Sequence, residues 1–340
     1  MNSQTDTKGD IRKLGVLGAG AWGTALANVG CGAGLETTVW ALEDEVVTSI
    51  NDDHVNALYL PDAPLDPALK ATGDMGELAD SDVILLVSPA QHLRAVSRDL
   101  ATLIRPGVPV LICSKGIEIS TGMLMSQVLA ETMPHNPAGV LSGPTFAIEV
   151  ARGLPCALTL AMEDETLGTR LVQALGQATF RPYYSHDIIG AQVGGAIKNV
   201  LAVATGIVDG LQLGENAKAA VITRGLAEIN RFGAYYGAES ETLMGLSALG
   251  DLVLTCGSTQ SRNMSLGKAL GEGRSMEEIM AGRRSVAEGA HTVRIVDKIA
   301  REKGISMPIC NCVYRIIVEG SSVRDVIEGL LTRPFTKEAL

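Results

Sequence analysis

Leu14-Gly15-Val16-Leu17-Gly18-Ala19-Gly20-Ala21-Trp22-Gly23-Thr24-Ala25-Leu26-Ala27 decides the reading of this chain. The apolar run Leu14 to Leu17 reads as a short buried strand. A helix of small residues, Thr24 to about Cys31, is expected after the glycines. Between them lies Gly18-x-Gly20-x-x-Gly23, and each glycine has a physical task. Gly18 permits a tight turn, Gly20 lets backbone approach a pyrophosphate, and Gly23 lets the helix pack closely on the strand. The N-terminus of such a helix offers unpaired N–H groups and a positive dipole end to phosphates, with Ala21 and Trp22 beside it. Glycine-rich turns also serve structure alone. The strand-turn-helix context is what makes this one a dinucleotide-binding candidate.

The chain continues in the same style. Thr37-Thr38-Val39-Trp40 reads as a second strand, ending in Ala41-Leu42-Glu43-Asp44-Glu45. An acidic residue there accepts hydrogen bonds from both adenosine ribose hydroxyls and repels a 2′-phosphate. Glu43 is the candidate, although Glu43-Asp44-Glu45 equally suits the first turn of a helix. Asp52 to Leu69, with Pro61, Pro64 and Pro67, reads as a crossover loop. Ser81 to Val87 is the clearest buried strand, stopped at Pro89. Gln91 to Leu103 has helical spacing of Leu93, Val96, Leu100 and Leu103. Pro109 to Cys113 is a further strand ending in Ser114-Lys115-Gly116, and Gly139 to Ser142 another ending in Gly143-Pro144-Thr145.

Strands alternating with helices predict an α/β fold: a Rossmann-type doubly wound parallel sheet over 11–189. Ligands of such sheets lie at the C-terminal ends of the strands. Lys115, Gly143 and Thr145 occupy such ends, so Lys115 either meets substrate or is one more surface lysine. Residues 1–10 are polar, lack the apolar segment of a secretory signal, and are expected as a flexible tail.

From Ile188 the pattern becomes helical, and 190–340 reads as an all-helical second domain. Gly190 to Leu211 is long and apolar enough to suggest a membrane span. Gln192, Lys198, Asn199 and Asp209 interrupt it, so a helix buried among other helices fits better. Lys198 either snorkels to solvent or is held for chemistry. Burial lowers a lysine pKa and a carboxylate neighbour raises it. Ala217 to Tyr236 reads as a second long helix. Within the apolar run Leu243 to Cys256, Asp251 needs a partner, either a lysine or a helix N-terminus after Gly250. Ser261-Arg262-Asn263 stands at an expected helix start. Arg262 and Asn263 suit a phosphate there, or Arg262 is simply solvated. Breaks at Gly282, Gly304 to Pro308 and Gly320 divide the remaining helices.

Bulk properties narrow the function classes. A net charge of −10 and an aromatic content of 4% argue against nucleic acid and against an anionic membrane surface. Six scattered cysteines and five dispersed histidines form no zinc spacing, so no metal is expected. Reduced thiols in a cytoplasmic protein, without stable membrane insertion, fit this composition. A homodimer is the default expectation for such a chain.

Several motifs in order resemble bacterial NAD(P)-dependent sn-glycerol-3-phosphate dehydrogenases: Gly18-Ala-Gly-Ala-Trp-Gly-Thr-Ala-Leu-Ala, Ser114-Lys-Gly-Ile-Glu, Ser142-Gly-Pro-Thr-Phe-Ala, Gly194-Gly-Ala-Ile-Lys-Asn-Val, Ala248-Leu-Gly-Asp-Leu-Val-Leu-Thr-Cys, Ser261-Arg-Asn and Val286-Ala-Glu-Gly. The resemblance runs from about Leu14 to Ala290 and weakens beyond. It implies reversible reduction of dihydroxyacetone phosphate by NADH or NADPH to sn-glycerol 3-phosphate, for phospholipid synthesis. Lys198 then matches the proton donor and acceptor, with Lys115 and Asp251 beside the chemistry. Lys115, Gly143, Thr145, Lys198, Asn199, Asp251, Thr255, Ser261, Arg262 and Asn263 match substrate positions. Ala21, Trp22, Tyr59, Lys115, Ala147, Arg262, Val286 and Glu288 match cofactor contacts. One departure stands out. The family usually carries Arg or His after the Trp-x pair closing the second strand, and here Leu42 is followed by Glu43. A preference for NADH is expected from it. Two other readings remain: a β-hydroxyacid-type dehydrogenase, which also places a lysine on a long central helix, and a non-catalytic NAD-binding regulator.

Overall fold

A computed structural model describes residues 11–281 and 287–334. They form two compact units: one of residues up to Lys115 together with Met125–Ile188, the other of Gly116–Leu124 together with the chain from Ile189.

The first unit is built on one sheet. Its strands are β1 (Lys13–Leu17), β2 (Glu36–Trp40), β3 (Lys70–Thr72), β4 (Val83–Leu86), β5 (Val110–Ile112), β6 (Ala138–Ser142), β7 (Cys156–Met162) and β8 (Phe180–Ser185). The spatial order is β3-β2-β1-β4-β5-β6-β7-β8. β1 therefore has β2 on one side and β4 on the other, which is the topological switch point where such sheets bind ligands. β1 to β6 run parallel, and β7 is antiparallel to β6. Val83 to Leu86 are fully buried, as expected of strands covered on both faces. The helices are α1 (Ala21–Gly32), α2 (Asp44–Asp53), α3 (Leu93–Ala101), α4 (Met125–Thr132), α5 (Ala147–Ala151) and α6 (Glu165–Leu175).

Five elements depart from the sequence reading. The first helix starts at Ala21 rather than Thr24, because Gly23 sits inside the first turn and packing offsets its low propensity. Asp52 and Asp53 end α2 rather than open a loop. β3, β7 and β8 were not anticipated. β3 has only three residues, and β8 contains Pro182, which suits an edge strand where its missing donor is not needed.

The second unit contains α7 (Ile188–Gly210), α8 (Glu215–Tyr236), α9 (Ser240–Leu243), α10 (Asp251–Gly257), α11 (Arg262–Gly271), α12 (Met276–Ala281), α13 (Glu288–Lys303), α14 (Pro308–Ile317) and α15 (Val323–Leu331). A π-helical segment, Leu246–Gly250, runs directly into α10, and Gly250 N–H donates to the Gly245 carbonyl five residues back at 3.0 Å. α7 is long and apolar enough to cross a membrane, yet most of its apolar window is buried inside the protein. Leu201, Phe232, Val293 and Val313 belong to the core around it, and Ile117 and Leu124 join that core.

Gly206 and Gly210 of α7 face Gly267 and Gly271 of α11. A Cβ on Gly206 would lie 2.1 Å from the Met264 carbonyl oxygen, and one on Gly267 would lie 2.0 Å from that of Val203. The two helices thus meet backbone to backbone. This contact fixes the C-terminal half of α7, downstream of Lys198, against the helix that opens with Arg262.

Candidate active site

The glycine-rich turn of the sheet unit has the shape the sequence predicts. Gly18 has φ +115°, a conformation that L side chains rarely adopt, and its N–H donates to the Trp40 carbonyl at 3.1 Å. A Cβ on Gly23 would fall 1.7 Å from the Gly18 carbonyl oxygen, whereas one on Gly20 would meet nothing within 4 Å. Gly20 is the N-cap of α1 and provides no side-chain cap. The first N–H groups of α1 therefore lie beside open space with no side chain capping them, which suits a pyrophosphate. Ala21 and Trp22 are the first two residues of this helix, and Ala147 starts α5, which packs on it. Just past β4, Ser88 Oγ is buried without a hydrogen-bond partner. These residues fit a dinucleotide.

Glu43 is the N-cap residue of α2, with Asp44 and Glu45 in its first turn, so a helix does start there. Its carboxylate does not cap that helix. It accepts a hydrogen bond from Tyr59 Oη at 2.7 Å. Leu42, where the resemblance leads one to expect a cation, is 77% exposed.

Lys115 lies just past β5 and Gly143 just past β6. Lys115 Nζ donates to the Gly143 carbonyl at 3.2 Å, and Thr145 Oγ1 donates to the same oxygen at 3.3 Å. The three predicted residues are thus one cluster at the C-terminal ends of neighbouring strands.

In the helical unit, Lys198 is 7% exposed and Asp251 1%. Lys198 Nζ lies 2.5 Å from Asp251 Oδ1 and donates to Thr255 Oγ1 at 2.7 Å. Thr255 in turn donates to Asp251 Oδ1 at 3.3 Å, which closes a triangle of charge-assisted bonds. Asp251 therefore takes the lysine as its partner. The π-helical segment delivers it there at the start of α10, and such segments often mark functional positions. Next along α10, burial pushes the Cys256 thiol up to about 11, so it stays protonated and inert.

A second chain of amides runs from Lys198's neighbour. Asn199 Nδ2 donates to Glu288 Oε2 at 3.2 Å, and Asn263 Nδ2 donates to Asn199 Oδ1 at 3.0 Å. Asn263 Oδ1 accepts from Gly289 N–H at 2.8 Å, in the first turn of α13. Ser261 caps α11 through Met264 N–H, and Arg262 is exposed at that helix start. Val286 lies outside the described residues.

The family described as NAD-dependent glycerol-3-phosphate dehydrogenase matches in both its parts, the N-terminus over residues 13–168 and the C-terminus over residues 187–328. The chain belongs to this family. Relatives named glycerol-3-phosphate dehydrogenase [NAD(P)+] include one from Parvibaculum lavamentivorans, 55% identical over 96% of this chain and 98% of its own length. Another, from Caulobacter vibrioides, is 54% identical over 97% of this chain and 99% of its own. Among solved structures, a glycerol-3-phosphate dehydrogenase from Coxiella burnetii superposes with a TM-score of 0.90 at 38% identity, covering 95% of this chain and 99% of that one.

One residue of this glycerol-3-phosphate dehydrogenase family member escaped the sequence reading. Asn56 is fully buried, and its Nδ2 donates to the Ala19 carbonyl of the glycine-rich turn and to Thr24 Oγ1, both at 2.8 Å. An Asn inside a Pro-rich crossover carries no local signal of that role.

Proposed function

We propose that this chain reversibly reduces dihydroxyacetone phosphate with NAD(P)H and a proton, giving sn-glycerol 3-phosphate and NAD(P)+ for glycerophospholipid synthesis. The observation that carries this reading is the buried Lys198–Asp251–Thr255 triangle, held by a chain that also builds a dinucleotide turn. Bound reduced nicotinamide supplies the hydride. As the ketone carbon gains it, negative charge grows on the carbonyl oxygen, and Lys198 delivers a proton there. Asp251 and Thr255 fix the ammonium so that its proton starts in place, and Asp251 favours recharging of the lysine afterwards. Asn199, held by Asn263, serves the substrate hydroxyl. Arg262, at the capped start of α11, serves the phosphate. Lys115, Gly143 and Thr145 are assigned to the substrate on the family resemblance. The sheet unit carries the dinucleotide and the helical unit the proton donor. The enzyme acts in the cytoplasm as a homodimer.

The test follows NADH absorbance on adding dihydroxyacetone phosphate to wild type and to Lys198→Ala. Turnover in wild type and its loss in the variant, with NADH still bound, is the expected result. Turnover of phosphate-free hydroxyacids instead would favour the β-hydroxyacid dehydrogenase reading. Tight NADH binding without turnover of any ketone would favour a regulator.

A further inference from the structure

The strand that closes on the adenosine side of the glycine-rich turn ends in a built acidic site. Asn56 anchors it. Its amide nitrogen holds the Ala19 carbonyl inside the turn, and its amide oxygen accepts from Tyr59 N–H at 3.0 Å. Tyr59 then donates its phenol proton to Glu43 Oε1. Tyr59, held at its backbone N–H by Asn56 and bonded through its phenol to Glu43, thus links the turn to a carboxylate three residues beyond β2. An ionised carboxylate has about four lone-pair sites, so the phenol leaves acceptor capacity on Glu43 for the two ribose hydroxyls.

The charge around it is one-sided. From Leu14 to Leu69 the chain has eight acidic residues and neither Lys nor Arg. Asp44 and Glu45 follow Glu43 directly, and both are exposed. The cations that border this stretch sit elsewhere in the sheet unit. Lys13 opens β1, and Lys70 opens β3 opposite Thr38, both at the N-terminal ends of their strands. Lys115 follows β5, three strands from β2, roughly 14 Å across the sheet at the usual strand spacing. Arg152 reaches the crossover but bonds the Asp62 carbonyl at 3.2 and 3.1 Å. A 2′-phosphate, with a charge of about −1.5 to −2 at neutral pH, would meet fixed negative charge at this end of the turn.

We propose that this chain selects NADH over NADPH, with Glu43 as the specificity-determining residue and Tyr59, anchored through Asn56, as the residue that positions it. The proposal rests on the nicotinamide-dependent reading above and deepens it. An orientated carboxylate discriminates more sharply than a mobile one, because it cannot swing away from the phosphate.

Calorimetric titration of the full chain with NADH and with NADPH tests this without turnover. Wild type is expected to bind NADH about tenfold or more tighter, a difference of about 1.4 kcal/mol or more. Glu43→Gln keeps the shape, removes the charge, and brings the two affinities to within about twofold. Tyr59→Phe leaves Glu43 charged but unheld, and lowers the ratio about threefold, mainly by admitting NADPH. Leu42→Arg shifts the ratio further toward NADPH. Equal wild-type affinities, or a ratio unmoved by Glu43→Gln, overturn the proposal. A ratio unmoved by Tyr59→Phe alone overturns the positioning role. A chain that selects NADH but fails to reduce dihydroxyacetone phosphate overturns the dehydrogenase reading and leaves this one standing.

Discussion

Gly20 and Gly23 stand three residues apart and ask different things of the chain. Gly20 has φ −66° and open space where its Cβ would be, so Gly20→Ala should fold within about 0.5 kcal/mol of wild type. It should nonetheless weaken NADH about tenfold or more, because the methyl group occupies the approach to the pyrophosphate. Urea denaturation and calorimetry on the same variant separate the two effects, and undiminished NADH affinity would contradict the phosphate assignment. Gly23→Ala collides with the Gly18 carbonyl and should lose stability as well as binding. The Lys198–Asp251 pair makes a second contrast. Asp251→Ala strands an ammonium in the core and should cost roughly 3–5 kcal/mol, whereas a Lys198→Met/Asp251→Leu double variant should cost less than that single change. Denaturant midpoints decide it, and a double variant worse than the single one would mean the pair itself stabilises the fold. The residue types were legible in the sequence, since Lys198 and Asp251 are conspicuous in apolar runs. Their pairing was not, because 53 residues separate them and no local pattern encodes that contact.

At the scale of elements, glycine and a buried acid fix the helical unit. Gly206→Ala or Gly267→Ala should separate α7 from α11 and lower stability by about 1–3 kcal/mol, with the loss of activity exceeding the loss of fold. Thermal unfolding beside steady-state rates checks this, and a Gly206→Ala enzyme of normal stability would contradict the close contact. Glu228 of α8 is buried, and its carboxylate accepts from Ile309 N–H at 2.6 Å and Cys310 N–H at 3.0 Å. It supplies the N-terminal cap that Met307 does not give α14. Burial still outweighs these bonds and holds its pKa above the ordinary 4.5. A raised carboxylate pKa favours the folded state while the group is protonated, and that stability is lost as pH climbs through the folded value. Wild type should therefore lose stability relative to Glu228→Gln as pH rises from 4.5. A relative gain over that range in paired denaturation curves would reverse the sign and make the helix-capping bonds dominant. The break at Gly304 to Pro308 marked off a further helical stretch, but the cap of α14 was not readable, because the capping acid comes from 80 residues earlier in the chain.

For the whole molecule, the chain's two tryptophans, Trp22 and Trp40, both lie in the sheet unit, beside the nucleotide turn. Tryptophan fluorescence therefore reports that unit. NADH at a hundredfold its Kd should raise the fluorescence-monitored stability by about 2.7 kcal/mol. An unmoved fluorescence transition under saturating NADH would place the dinucleotide elsewhere. The sequence by itself determined the sheet-then-helix order, the glycine turn, the ends of β5 and β6, and the apolar burial of α7. Those properties are local: they rest on periodicity, glycine spacing and strand-to-helix alternation over a few residues. The antiparallel β7, the grouping of Gly116–Leu124 with the helices, and the Asn56–Tyr59–Glu43 chain were decided only by tertiary structure. A buried polar atom is satisfied by whatever donor or acceptor the fold brings within about 3 Å, and a sequence does not record which one that is.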